Sequence, residues 1–557
     1  MMARRAVRNA WLASTVLAGL CCAGGTAHAQ DASARIGAIE SQIKALQDQL
    51  RAVKRDLGQR DVQLKAAQRD AGAAQRDAAA ARAEARRAPL PQPLPPPAAA
   101  PAATATAVAN GEQPVTFTGK LGQIRVGGIT IQAGGFLEAA GIYRSNNEVA
   151  DLASNWNGIP FPNVQQQHES ETRFSARQSR FSLLVEGKPD PAQTIAAYGE
   201  ADFLGAAPTA NSTESNSYNP RLRQAFASYD NTNLNLHVLG GQAWSLLTLN
   251  KAGIVPRQEV LPQVIDAQYV PGFTWKRQPQ VRVATDFDDH RVWLAASLEN
   301  PQTNFYNGPN GAGTFRGTTN STNPGGSNFA PNVNYSLDAA PDVVLKAAWD
   351  PGFGHYEVYG LARFFRSRVS TLGRGGNDTT LAGGGGAAMI LPVVHKYLDF
   401  QASFLGGTGI GSYGAGQLPD ATLTQSGAPA PVPEVQALVG LIGHPRPDLD
   451  IYGYVGTEQA SRRAFTSGGR GFGYGSPLYS NAGCNIELST QPCVANTSGL
   501  VQGAAGFWWR FLHGNYGTAQ VGATYSYTDR TIFSGVGGGG TTGENTAMLS
   551  LRYYPFQ

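Results

Sequence analysis

Residues 193–204 read Gln-Thr-Ile-Ala-Ala-Tyr-Gly-Glu-Ala-Asp-Phe-Leu. Ile195, Ala197, Gly199, Ala201 and Phe203 fall on one face of an extended chain, and Tyr198, Glu200 and Asp202 on the other. Lys188-Pro189-Asp190-Pro191 precedes the run as a tight turn, and a second β-type run over 174–187 precedes the turn. This unit of strand, short turn and strand recurs. Sixteen strands are expected, near 133–145, 174–187, 193–204, 220–230, 233–245, 276–286, 290–299, 341–350, 354–368, 380–391, 395–407, 432–443, 448–459, 500–512, 515–529 and 544–556. Their connections alternate between short turns and generally much longer stretches rich in Gly, Asn, Ser and Pro. Even strand number, alternating faces and that long–short rhythm imply an antiparallel transmembrane β-barrel. A soluble β-sandwich would need a second sheet over its apolar face, and it gives no reason for the rhythm.

Composition agrees. The 557 residues include 67 glycines, with 9% aromatic and only 15% charged side chains. A mean hydropathy of -0.25, with no uninterrupted apolar run long enough to span, argues against membrane helices. Barrel strands average lipid-facing and lumen-facing residues to such a value. Trp508, Trp509 and Tyr553 fall near strand ends, where interfacial aromatics are expected.

Before the barrel lie three segments. Arg4, Arg5 and Arg8, the apolar run Trp11 to Ala23 and the motif Ala27-His28-Ala29 read as a signal peptide over 1–29. Cys21 and Cys22 leave lipidation as an alternative. From Ile36 through Ile39, Ile43, Leu46, Leu50, Val53, Leu57 and Leu64 to Ala81 a heptad seam runs, broken only at Arg60. It predicts a coiled coil over 31–87, and isoleucine at both seam positions favours more than two strands. Residues 88–114, with Pro-Leu-Pro-Gln-Pro-Leu-Pro-Pro-Pro, form a linker, leaving 115–557 to the barrel. Cys484 and Cys493, nine positions apart in a Gly/Ser/Asn/Pro-rich segment, are expected to close a surface loop by a disulfide.

Several runs resemble the DcaP-like porins. They are Ser179-Arg180-Phe181 to Gly187-Lys188, Tyr-Gly-Glu-Ala-Asp-Phe at 198–203, Pro-Arg-Leu-Arg-Gln-Ala-Phe-Ala at 220–227, Gly-Gln-Ala-Trp-Ser at 241–245 and Arg-Gln-Pro-Gln-Val-Arg at 277–282. The likeness is densest over 133–290. It implies a sixteen-stranded homotrimer in the outer membrane of a Gram-negative bacterium, its third long loop folded into the lumen. It also implies passive uptake of small anions such as dicarboxylates and aromatic acids.

A diffusion pore selects by fixed charge at its constriction. The third long loop, 246–275, carries Arg257, Glu259 and Asp266, and the facing strands carry Arg177, Arg180, Arg221, Arg223, Arg277 and Arg282. These nine are the candidate solute path. From Val115 onward 29 Lys/Arg face 31 Asp/Glu, so a preference for anions must come from clustering. The same arginines, paired with Glu200, Asp202, Glu259 and Asp266, would equally brace the loop. No catalytic set, cofactor, metal or nucleic-acid partner is expected. Gly409 to Gly414 has a dinucleotide-binding spacing without the strand and helix that such chemistry needs. The expected partners are outer-membrane lipid, two further copies of the chain and small anionic solutes. A second reading has the coiled coil, in the periplasm, tether the barrel to peptidoglycan.

Overall fold

The computed structural model describes residues 115–205, 219–310, 318–324 and 334–557. The signal peptide, the coiled coil and the linker expected over 1–114 lie outside them. The described chain forms sixteen main strands: β1 (Ile129–Arg144), β2 (Glu171–Ser175 and Arg180–Asp190), β3 (Gln193–Gly205), β4 (Asn219–Asn231), β5 (Leu236–Trp244), β6 (Arg277–Phe287), β7 (Val292–Glu299), β8 (Asp342–Trp349), β9 (His355–Thr371), β10 (Arg374–Val394), β11 (Leu398–Thr408), β12 (Pro433–Arg446), β13 (Leu449–Ala460), β14 (Thr497–Gly514), β15 (Gly517–Gly535) and β16 (Gly538–Tyr554). Each pairs antiparallel with the next, and β16 returns to β1 through Thr546↔Arg144 to Tyr553↔Leu137. The sheet closes on itself, which leaves these strands without free edges. Before β1, Val115–Phe117 and Gln123–Val126 form a small hairpin against its start.

The two faces follow the period of two. Outward side chains such as Leu137, Ile195, Val281, Leu345, Val358, Ile451 and Leu549 are exposed, while Glu138, Glu200, Arg282, Lys346 and Glu458 point inward and are buried. Such a barrel is apolar outside and polar inside, the inverse of a soluble protein. Trp508 departs from its expected interfacial place. It is 5% exposed and faces the lumen, donating from Nε1 to the Gln263 carbonyl, whereas its neighbour Trp509 faces out at 42%. One step along a strand changes the face, so only one of two consecutive tryptophans can lie in the outer girdle.

Two connections expected to be long are strand instead. Pairing in the β9–β10 hairpin continues to Thr371↔Arg374, and in β15–β16 to Gly535↔Gly538. Backbone pairing needs no large side chain, so Gly, Thr and Asn prolong the ladder where propensity predicts loop. Gly383 and Gly386 in β10 mark close packing: a β-carbon would lie 1.9 Å from the Leu361 carbonyl oxygen and 2.0 Å from that of Phe404, respectively.

Candidate functional site

Irregular backbone inside a barrel must find partners for its N–H and C=O groups. The loop 245–276 between β5 and β6 enters the lumen, and side chains of the wall receive it. Glu299 accepts from the Leu246 N–H (2.8 Å), Glu357 from Asn250 (3.0 Å), Asp350 from Gly253 (2.9 Å) and Glu458 from Gly272 (2.8 Å). Lys346 donates to the Thr248 carbonyl at 2.7 Å. Apolar residues fill the gaps: Leu246, Leu247 and Ile254 pack on β6 to β11, and Val264, Ile265, Val270 and Phe273 on β12 to β16 and β1.

A second loop, 409–432 between β11 and β12, also turns inward. Gly411–Tyr413 forms a buried 3-10 turn. The Trp275 N–H donates to the Tyr413 carbonyl (2.9 Å), and the Ala415 N–H to that of Phe273 (3.0 Å). Arg363 holds the loop, donating to Asp342 (3.1 Å), Asp420 (2.6 Å) and the Gly409 carbonyl (2.5 Å). The Gly409 to Gly414 spacing thus opens this turn, not a nucleotide site.

The candidate residues sort into three groups. Arg180, Arg221, Arg223 and Arg277 gather around Glu200, Asp202 and the loop residue Tyr269. Arg221 meets Asp202 with two bonds (2.7 and 3.0 Å), and Arg223 donates to Glu200 (2.5 Å), Asp202 (2.9 Å) and the Tyr269 hydroxyl (3.4 Å). Arg180 lies 3.7 Å from Glu200, its buried Nε without a hydrogen-bond partner. Arg277 stacks on Trp244 (4.6 Å) and Trp275 (5.4 Å) and is repelled by Arg223, Arg221 and Arg180. Against the burial that would raise it, Arg223, Arg180 and Arg277 lower the Tyr269 hydroxyl pKa. Three guanidinium groups therefore share two carboxylates, and Arg277 stands beside them as a fourth cation.

A second group braces loops. Arg177 donates to Asp151 (3.1 Å) and to the Phe203 and Gly205 carbonyls, beside the break at 176–179 in β2. Asp266 accepts from the Ser154 N–H (3.2 Å) and hydroxyl (2.5 Å), joining the first long loop to the third. Burial raises its carboxyl pKa against the pull of Arg144. Arg282 donates to the Trp244 carbonyl (2.6 Å), and half-buried Glu259 is raised by desolvation against Arg282.

Arg257, in the left-handed region at φ 69°, reaches the third location. Its guanidinium lies over the Tyr198 ring (5.7 Å) and lines a cavity of about 560 Å³ with Lys120, Phe556 and Gln557 at the short-turn end. A cavity of about 400 Å³ shares Ser182, Tyr198 and Gln557 with it, and lies beneath loop residues 261–264. Arg180, Arg510 and Arg552 supply its cations. Arg552 donates to Glu138 (2.9 Å) between the Phe136 and Trp508 rings, and Arg510 donates to Asp450 (2.7 Å). Arg510 and Arg552 lie in β14 and β16, outside the early strands in which the basic wall is expected. Barrel closure was the available signal, since it seats β16 beside β1.

Elsewhere, Arg144 lies within 3.7 Å of Glu148, Glu171 and Glu544 under the first long loop. Cys484 and Cys493 are disulfide-bonded, Cys484 packing with Phe161 and Ile532.

No protein-family model matches the sequence, and no curated protein matches it either. Among solved structures, it is similar to the outer membrane channel DcaP of Acinetobacter baumannii, with TM-score 0.54 and 16% identity, covering 77% of this chain and 97% of that one. The fold is that of an outer-membrane porin. Lower-scoring likenesses include an anion-selective porin from Comamonas acidovorans (TM-score 0.40, 9% identity, 76% of this chain, 99% of that one). Another is OprB of Pseudomonas putida (TM-score 0.41, 12% identity, 76% and 94%).

Proposed function

We propose that the protein is a porin of the bacterial outer membrane, through which small hydrophilic solutes diffuse passively, with a preference for anions such as dicarboxylates. In this reading the short turns and both barrel termini face the periplasm, and the long loops face outward. The observation that carries it is the excess of cation at the lumenal wall: Arg180, Arg221, Arg223 and Arg277 against Glu200 and Asp202, with Arg180 also lining the cavity below the loop. Fixed positive charge at a narrow point lowers the barrier for counter-ions and raises it for co-ions. Asp266 ties the third long loop to the first, Arg282 holds the strand end that enters it, Glu259 and Arg257 lie on it, and Arg177 braces the first loop against β3. The isoleucine seam supports a homotrimer, with the helix over 31–87 in the periplasm.

The purified protein in a planar bilayer under a salt gradient should give a reversal potential of anion-selective sign. Arg180→Gln should move it toward zero. A cation-selective potential in the unaltered protein would remove the anion preference, and absence of conductance would remove the pore. Deleting residues 31–114 tests the arm: loss of peptidoglycan co-sedimentation with trimers intact would favour a tether instead of an assembly element.

A further inference from the structure

The β9–β10 hairpin carries charge on the wrong face for a lumenal role. Along β9 the inward residues are Glu357, Tyr359, Leu361, Arg363, Phe365 and Ser367, all buried. The outward phase runs Tyr356, Val358, Gly360, Ala362 and Phe364, then changes abruptly to Arg366 and Arg368. On β10 the partners of Phe364, Arg366 and Arg368 are Leu381 (66% exposed), Thr379 and Asn377.

Tyr356 to Phe364 makes an apolar stripe ~27 Å long at ~3.3 Å per residue, or ~20 Å of height once strand tilt is allowed for. That is close to the ~25 Å band expected of an outer-membrane barrel. Arg366 therefore sits at the rim of the band farther from the short turns, and Arg368 one inward–outward step beyond it. Both lie on the face continuous with lipid.

Their partners are neutral. Arg366 reaches the Thr379 hydroxyl at 3.5 Å, and Arg368 the Asn377 amide oxygen at 3.0 Å. Arg363, on the opposite face of the same strand, takes two carboxylates instead. Asp378 pairs with Ser367 and so belongs to the inward phase. Beyond Gly383↔Thr408, β11 no longer pairs with β10, and Thr380 on the inward face donates instead to the Pro429 carbonyl of the loop 409–432. Two arginines whose backbone positions are about 7 Å apart, with no carboxylate partner among the described residues, at the edge of an apolar band, suit the phosphate groups of a lipid in charge and hydrogen-bonding chemistry.

We propose that Arg366 and Arg368 form a binding site for the phosphorylated headgroup of an outer-leaflet glycolipid, the acyl chains lying along Phe364 and Leu381. The site rests on the membrane orientation given above but not on solute transport. Full-length protein in detergent is titrated with bis-phosphorylated lipid A and, separately, with dephosphorylated lipid A, and bound lipid is counted by native mass spectrometry. Arg366→Gln/Arg368→Gln should bind the bis-phosphorylated form roughly 30-fold more weakly, about fivefold per arginine at a membrane surface, and the dephosphorylated form unchanged. Arg463→Gln, at an exposed arginine of another loop, should bind as the unaltered protein does. Three results would overturn the site: a double variant within threefold of the unaltered protein, equal binding of the two lipids by the unaltered protein, or an equal loss in Arg463→Gln. Conductance measured on the same samples separates the readings. Retained conductance with lost lipid binding supports the site, while lipid discrimination without conductance supports it and removes the pore.

Discussion

Lys346 is a fully buried cation that ties the lumenal loop to the wall. Its Nζ donates to Glu357 (2.8 Å), to the Thr248 carbonyl (2.7 Å) and to the Asn250 side-chain oxygen (3.2 Å), and neither Lys346 nor Glu357 has any side-chain exposure. Replacing it by Met keeps the apolar stem but leaves Glu357 a buried charge without its cation. Breaking such a pair costs about 3–5 kcal/mol. Here the lower end applies, because the Asn250 N–H (3.0 Å) and His355 Nε2 (3.1 Å) still contact Glu357. Lys346→Met should therefore lose about 3 kcal/mol in urea unfolding of the detergent-solubilised barrel. Lys346→Met/Glu357→Gln removes the stranded charge and should recover at least about 1 kcal/mol of that loss. Single-channel records should become noisier in Lys346→Met, since the Thr248 carbonyl loses its anchor. A Lys346→Met barrel within ~0.5 kcal/mol of the unaltered protein would refute the role of the pair, as would a double variant no more stable than the single.

Two further outcomes test the loops. Burial pushes the Glu148 carboxyl up to about 7 against the pull of Arg144, with Asp266 and Glu171 adding to the rise. An acid raised on folding contributes stability that is present below its unfolded value of about 4.5 and lost as pH rises through about 7. Limited proteolysis within 150–168 should thus quicken from pH 5 to pH 8 in the unaltered protein, relative to a non-titrating loop, and Glu148→Gln should reduce that difference, Asp266 keeping part of it; equal pH slopes in the two proteins would discard the role of Glu148. Cys484→Ser/Cys493→Ser should lose about 2–3 kcal/mol in urea unfolding, the chain-entropy value for so short a loop, and a loss under ~0.5 kcal/mol would show that the bridge constrains little.

The strands were legible because their signals are local. Alternation in 193–204 and the turn at 188–191 depend on residues that touch in sequence, and the observed β3 starts at the expected residue. The ends of β9, β10, β15 and β16 were not legible, because Gly and Thr at a hairpin tip pair through backbone alone. At the site, clustering of Arg221 and Arg223 with Glu200 and Asp202 could be anticipated from facing strands. Arg552 was open to anticipation only through barrel closure, which seats β16 beside β1, while Arg510 and the inward loop 409–432 were not, since no local pattern points to partners that far along the chain.

By itself the sequence determined a sixteen-stranded antiparallel barrel, because period-two alternation and turn chemistry act within one hairpin at a time. Tertiary structure alone decided which arginines are spent on carboxylates and which line a cavity. The reason is geometric: a side chain's face follows from its own strand, but its partners follow from closure of the barrel and from the loops that closure admits to the lumen. Arg363 and Arg366 are three residues apart in one strand, yet one locks a loop inside with two carboxylates and the other, on the outward face, reaches a neutral threonine hydroxyl.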